Sequence, residues 1–502
     1  MPGELAFPIL SLIVFLPLLG VLVVLALPSN ALRTIRGASI FFTSLPLVLT
    51  ILLWANFDIA TSNFQFLERY NWISALGISY LIGVDGISLP MIFLTTMLFV
   101  ITMVYSFGIA FRHKEFYALM LLLEVGILGV FVSLDLFLFF VFWEIVLIPM
   151  YFLISIWGGP RKDYSAIKFF LYTHLGSLVM LLGFIALYFE ASPSLTATIG
   201  GPSASMIDIG GISREFTFVF QLLVFAAFFL AYGIKIPLVP MHTWLPDAHV
   251  EAPTEGSVIL AAVLLKMGLY GLIRVAITLL PDGALAFAPM MALIGIISIL
   301  YGAFISIAQK DLKKMVAYSS ISHMGMAILG LSAFNTIGFS GAVFMMFAHG
   351  LYSAALFMMS GSIHHATGTR LIPKLGGIAP KMPIGAFMLA ASAFGAAGIP
   401  GMSGFIAEFS VFLGAFAAFN LWIIIPIIYL VITAAYFLWA LQKSIFGPFN
   451  EKLGSVKDLR PHEILPLTVL VVFLIIFGVF PALIMDMIGI TSAGLLTHIG
   501  GR

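Results

Sequence analysis

About fourteen apolar runs of membrane-spanning length follow one another through the 502 residues, separated mostly by short polar joints. They lie near 6–27, 34–54, 81–110, 115–133, 136–157, 165–189, 216–239, 256–279, 286–308, 314–332, 338–362, 384–418, 421–446 and 463–487. In lipid every backbone polar group must be satisfied internally, so only helices or a closed barrel can span. No period-two alternation marks barrel strands. The expected fold class is therefore an all-α integral membrane protein, a single polytopic domain over 1–502. Composition agrees: 62% of residues are hydrophobic and 9% charged, with mean hydropathy +1.15. A soluble domain carries about 25% charged residues.

Other features exclude whole classes of function. The first run, 6–27, has no basic segment before it, only Glu4, so it reads as a retained helix and not a secretory signal. A net charge of +1 argues against a nucleic-acid partner. The chain has no cysteine, which rules out disulfides, thiolate catalysis and an all-cysteine iron–sulfur cluster within it. Alternate joints gather 17 of the 23 Lys and Arg residues on one side. By the positive-inside rule that side is cytoplasmic and both termini are periplasmic.

Against this background, several ionisable residues stand inside apolar runs. Each costs about 2.5–3.5 kcal/mol at the bilayer centre on insertion scales. Glu144 lies in LFLFFVFWEIVLIPMYFL, Lys235 in FFLAYGIKIPLVP, Lys266 in ILAAVLLKMGLYGLI and Glu408 in GIPGMSGFIAEFSVF. His174, His323 and His349 occupy helices 6, 10 and 11. A single Glu–Lys pair can simply lock two helices together, and a lone membrane histidine is often a satisfied core residue. Glu124 in helix 4 fits a local pair. The set in separate helices points instead to a proton relay. Burial lowers the pKa of a lysine and a neighbouring glutamate raises it, so making or breaking the pair loads or unloads the lysine. Histidine, titrating near neutrality, passes protons between such sites.

Helix breakers flank two of these charges. Pro237 and Pro240 follow Lys235, and Gly398, Pro400, Gly401 and Gly404 precede Glu408. Broken helices 7 and 12 are thus expected, at the depth where transport sites form. The polar residues also recur: Glu144 to His323 spans 179 positions, His174 to His349 175, and Lys235 to Glu408 173. Five helices separate the members of each pair, which inverts their orientation. Helices 4–8 (115–280) and 9–13 (286–447) are expected to be inverted repeats, each supplying a half-channel. The break follows the charge in helix 7 but precedes it in helix 12.

The stretches SLDLFLFFVFWEIVLIPMYFLISIWGG, AIKFFLYTHLGSLVMLL, KIPLVPMHTWLPDAHVEAPTEGSVILAAVLLKMGLYG and LKKMVAYSSISHMGM carry a resemblance over essentially the whole length. The chain resembles the subunit M (chain 4) family of the proton-pumping NADH–quinone oxidoreductase, respiratory complex I. The resemblance implies an antiporter-like fold of fourteen core helices. Glu144 and Lys235 would be the coupling ion pair and Lys266 the central proton site. His323 and His349 would bridge onward to Glu408, the terminal site towards the periplasm. Glutamate at 408 matches subunit M, where subunits L and N are described as carrying lysine. The chain would be a translocase subunit of an NADH:quinone reductase in the bacterial inner membrane or its mitochondrial equivalent. It would have no cofactor of its own, with FMN, iron–sulfur clusters and quinone in partner subunits. Its partners would be the other membrane subunits, especially L and N, and phospholipid. His242 and His249, in HTWLPDAH, suit a structural role as well as proton transfer.

Two other classes use the same residues. A cation/proton antiporter, alone or as one subunit of several, would run without electron transfer. A haem-binding electron carrier would use His174, His323 and His349 as axial ligands.

Overall fold

The computed structural model describes residues 7–500. Two helices, α1 (Ile9–Ala26) and α2 (Leu32–Ala55), lead into an antiparallel hairpin, β1 (Gln65–Ile73) and β2 (Ile78–Val84). Then come α3 (Ser88–Tyr105), α4 (His113–Val132), α5 (Leu136–Trp157, with a turn at Val146) and α6 (Lys162–Ile199). The seventh helix has two legs, α7a (Phe218–Lys235) and α7b (Trp244–Glu251). It is followed by α8 (Thr254–Ile277), α9 (Pro281–Ile307), α10 (Leu312–Ser332) and α11 (Thr336–Thr367). The twelfth is again split, α12a (Pro383–Ala396) and α12b (Ser403–Phe419), before α13 (Ile424–Ser444), α14 (Pro461–Val479) and α15 (Ala482–Ile499).

Local chemistry sets these boundaries. Side chains of Asp135, Thr217, Asp311 and Asn335 accept hydrogen bonds from the first-turn N–H groups of α5, α7a, α10 and α11. Such caps satisfy donors that the helix itself leaves free. The expected breaks in helices 7 and 12 are both present.

Fourteen helices among the described residues are long and apolar enough to cross a membrane. That count joins α12b to α13 and includes α15. Yet α15 touches one end of the bundle along its length. The Gly86 N–H donates to Thr491 Oγ1 (3.1 Å), and Arg214 Nη2 donates to the His498 carbonyl (3.3 Å). The hairpin loops and the α6–α7 joint lie at that same end, so α15 runs across it. Taking α12b and α13 separately and setting α15 aside leaves fourteen crossing helices. Here the expected run over 463–487 is corrected: Pro481 follows the end of α14, and the chain turns into α15.

The all-α class holds, and the two-stranded hairpin is a small addition to it at one end of the bundle. It is sewn to the same end by Leu134 N–H to Leu81 O (2.9 Å) and Ala204 N–H to Gly77 O (3.1 Å). Glu68 of β1 accepts from the Leu10 N–H (2.8 Å) at the start of α1. Both described ends of the chain therefore lie at the hairpin end.

The helices form a core and a shell. The spanning windows of α8 and α11 are buried in their entirety and that of α10 at 94%, against 28–39% for α1, α2 and α6. Close packing of small residues builds this centre. A Cβ on Gly325 of α10 would lie 2.8 Å from the Gly295 carbonyl of α9, so only glycine permits that approach. The innermost helices are those that carry Lys266, His323 and His349.

Candidate functional site

Helix α8 departs from α geometry twice, with π turns at Leu260–Leu264 and Leu272–Ile277. π turns displace backbone carbonyls and recur at functional sites. Lys266 follows the first turn, and its Nζ donates to the Ala261 carbonyl five residues back (2.6 Å). The same Nζ lies 2.5 Å from His349 Nδ1 on α11. Both side chains are fully buried. An ammonium has donors only, whereas a neutral imidazole nitrogen either donates or accepts. A hydrogen bond therefore joins the two side chains, with Lys266 donating when His349 Nδ1 is the acceptor.

From His349 the line continues towards α10, α12 and α13. The His349 and His323 rings have centroids 5.4 Å apart, and both face Tyr352 (5.2 and 5.1 Å). His323 Nε2 donates to the carbonyl of Ala396 (3.2 Å), the last residue of α12a. That contact commits the Nε2 hydrogen and leaves Nδ1 as the acceptor. Tyr429 of α13 stands edge-on to His323 (5.9 Å), and its hydroxyl donates to Glu408 Oε1 (3.0 Å). Glu408 lies on α12b, buried, with its carboxylate against the Cα of Gly398 in the helix break. Gly398 has φ +64°, and a Cβ there would collide with that carboxylate. Lys266, His349, His323 and Glu408 are brought together in one sequence of neighbours, with Tyr352 and Tyr429 between them.

The first half of the site is arranged differently from expectation. Pro149 offers no N–H to the Ile145 carbonyl, so α5 breaks at the level of Glu144. Glu144 Oε2 contacts His174 Nδ1 of α6 (3.2 Å) and forms no ion pair with Lys235. Lys235 Nζ closes α7a over the rings of Trp143 (5.3 Å) and Phe169 (5.9 Å), with no hydrogen-bond partner among the described residues. A Cβ on Gly268 would sit 3.2 Å from the Lys235 Cβ, so α7a and α8 are in direct contact beside Lys266. Glu144 and His174 remain 26% and 39% exposed, on the flank of the bundle.

Further polar groups enter from the opposite end of the bundle from the hairpin. A cavity of about 490 Å³ is lined there by Glu251, Glu255, Lys313, His365, Arg460 and Glu463, among others. His249 is buried in α7b, stacked on Phe357 (4.6 Å), with both ring nitrogens unpartnered among the described residues. Sequence reasoning had singled out His249, and had counted Lys313 and Arg460 only towards the charge asymmetry. The signal available was the recurrence of histidine at three joints, HVEAPTE, SIHHATGTR and RPHE, with acids beside it in the first and last. His242 lies edge-on to Tyr301 (4.8 Å) and Glu124 is buried on α4, each outside the central line. At the hairpin end, Arg274 and Asp85 form a buried ion pair (2.5 Å).

No group of three His, Cys, Asp or Glu side chains among the described residues is arranged to hold a metal ion. The three histidines of the haem reading do not converge. His174 pairs with Glu144 at the flank, while His323 and His349 each commit one nitrogen, to Ala396 and Lys266, in the centre.

Residues 133–479 match the family described as NADH:quinone oxidoreductase/Mrp antiporter, transmembrane. The chain is 39% identical to the F(420)H(2) dehydrogenase subunit M of Methanosarcina mazei, over 98% of this chain and 99% of that protein. It is 40% identical to the NADH-quinone oxidoreductase subunit M of Rhodobacter capsulatus, over 98% and 96%. A chain of respiratory complex I from Thermus thermophilus superposes with a TM-score of 0.86 at 29% identity, covering 97% of this chain and 99% of that one.

Proposed function

The chain belongs to the NADH:quinone oxidoreductase/Mrp antiporter transmembrane family, and on that footing we propose that it is the M-type proton-translocating subunit of a quinone-reducing respiratory complex. The observation that carries this reading is the buried line Lys266–His349–His323–Tyr429–Glu408. It crosses the innermost helices and ends at the break in helix 12. Protons enter by way of the polar cavity and His249, rest on Lys266, and leave by Glu408.

Redox chemistry drives the line from outside the chain. A change of charge in a neighbouring subunit alters the separation of Glu144 and Lys235, and Lys235 acts in turn on Lys266. At an effective dielectric constant near 20, a unit charge at 4 Å is worth about 4 kcal/mol, or about three pKa units. That is enough to unload a buried lysine. The donor is decided in the other subunits: the Methanosarcina relative is named for F(420)H(2) and the Rhodobacter one for NADH, at nearly equal identity. Flavin and iron–sulfur clusters belong there as well, since this chain has no cysteine.

Helices 4–8 and 9–13 act as the two half-channels in this reading, and the two broken helices support it. The flank with Glu144 and His174 is where another membrane subunit, of the L or N type, packs, because ionisable groups at membrane depth need cover. The lysine and arginine asymmetry supports a periplasmic hairpin end in this reading.

The test is quinone-linked proton uptake by the purified, assembled complex in proteoliposomes. Lys266→Met and Lys235→Ala should each leave assembly intact and abolish pumping through this subunit. Full pumping in both would refute the reading. Cation-dependent proton flux from the chain alone would mark it as an independent antiporter.

A further inference from the structure

Glu144 has two neighbours that can donate a hydrogen bond, His174 and Lys235, and touches one of them. Its Oε2 is 3.2 Å from His174 Nδ1, and its Oε1 has no partner among the described residues. Lys235 Nζ is likewise without a hydrogen-bond partner there, resting over Trp143, the residue next to Glu144. His174 is held in place by Phe170, stacked at 5.3 Å and 14°. It is held also by close packing of α6 on α7a, where a Cβ on Gly176 would lie 3.2 Å from the Ala231 carbonyl. Glu144 stands where Pro149 removes a backbone hydrogen bond from α5 and the single turn residue Val146 separates its two segments, the least constrained backbone of the three.

We propose that His174 is a positioning residue for the pump, holding Glu144 away from Lys235 in the resting subunit so that the Glu144–Lys235 ion pair forms only when this hydrogen bond is released. The proposal rests on the reading of Glu144 and Lys235 as the input pair. A carboxylate can share one proton with Nδ1 of an imidazole, so the contact is maintained while that proton lies between them. Lys235 meanwhile faces aromatic rings, whose attraction for an ammonium is weaker than that of a carboxylate. Release of Glu144 therefore leads to pairing with Lys235. His174 also sits at the flank, where a charge in an adjoining subunit would reach it before any buried residue of the line.

Replacing His174 leaves Lys235 as the nearest cation to Glu144 and makes the pair permanent. The experiment uses the assembled complex in proteoliposomes and reads coupled turnover, the proton-to-electron ratio and the infrared carboxylate band of Glu144, assigned by its loss in Glu144→Gln. His174→Leu should lower coupled turnover by about tenfold, the factor that one charge-assisted hydrogen bond corresponds to, and should shift the band. His174→Gln can donate to the same oxygen and should restore most of both. If leucine disturbs assembly, His174→Met removes the donor at similar volume. Unchanged turnover and an unmoved band in the leucine or methionine variant would overturn the role of His174. If Glu144→Gln stops pumping while those variants are silent, only this inference falls; if Glu144→Gln itself pumps normally, the input pair falls with it.

Discussion

The hydroxyl of Tyr429, on α13, donates to Glu408 Oε1 on α12b across 3.0 Å, with both side chains buried. It is a bond between helices on the far side of the break from His323, and it fixes where the last carboxylate of the line points. A hydrogen bond to a charged group contributes about 1.5–3 kcal/mol.

Tyr429→Phe keeps the ring against His323 and removes only the donor. The expected result is a fall in coupled proton uptake of about tenfold or more, with assembly preserved. Proteoliposome pumping assays on the purified complex measure it, and wild-type rates would place the exit path elsewhere.

Gly398→Ala tests the break itself. The position has φ +64°, and its Cβ would meet the Glu408 carboxylate. Left-handed backbone costs a non-glycine residue about 1–2 kcal/mol, and displacing a buried carboxylate adds to that. The variant should lose both thermal stability and pumping. Gly489→Ala, where no atom lies within 4 Å of the added methyl, is the control and should behave as wild type. Melting of the detergent-solubilised complex separates the two.

Arg274 and Asp85 are 4% and 2% exposed and meet at 2.5 Å near the hairpin end of α8. Arg274→Leu leaves a buried carboxylate unpaired and should destabilise the complex by about 3–5 kcal/mol. The double variant Arg274→Leu/Asp85→Leu should recover most of the loss, because the pair's attraction largely offsets its own desolvation. Equal melting of the single and double variants would show that the hydrogen bonds Asp85 accepts from Ile87 and Ser88 matter as much as its ion pair.

The helices were legible because hydropathy and length decide them, and Lys235, Lys266 and Glu408 because charge in an apolar run has no neutral explanation. The breaks at helices 7 and 12 were legible from proline and glycine for the same local reason. Relationships between helices were not. Glu144 meets His174 and not Lys235 because of how α5, α6 and α7a are rotated against one another, which no single segment encodes. Tyr352 and Tyr429 went unremarked because tyrosine reads as apolar in a hydropathy profile, although its hydroxyl is what the site uses. The hairpin over 65–84 was hidden by a bulged register and by its added hydrogen bonds from Leu134 and Ala204, far away in sequence. The surface course of α15 was hidden by its length and apolarity, which match those of a spanning helix.

The bond from Lys266 to the Ala261 carbonyl bears on how the chain is made. The ribosome completes α8 well before α11, so His349 does not yet exist when Lys266 must leave the translocon for lipid. Ala261 is on the same helix, so its carbonyl is a partner for Lys266 that does not depend on any helix made later.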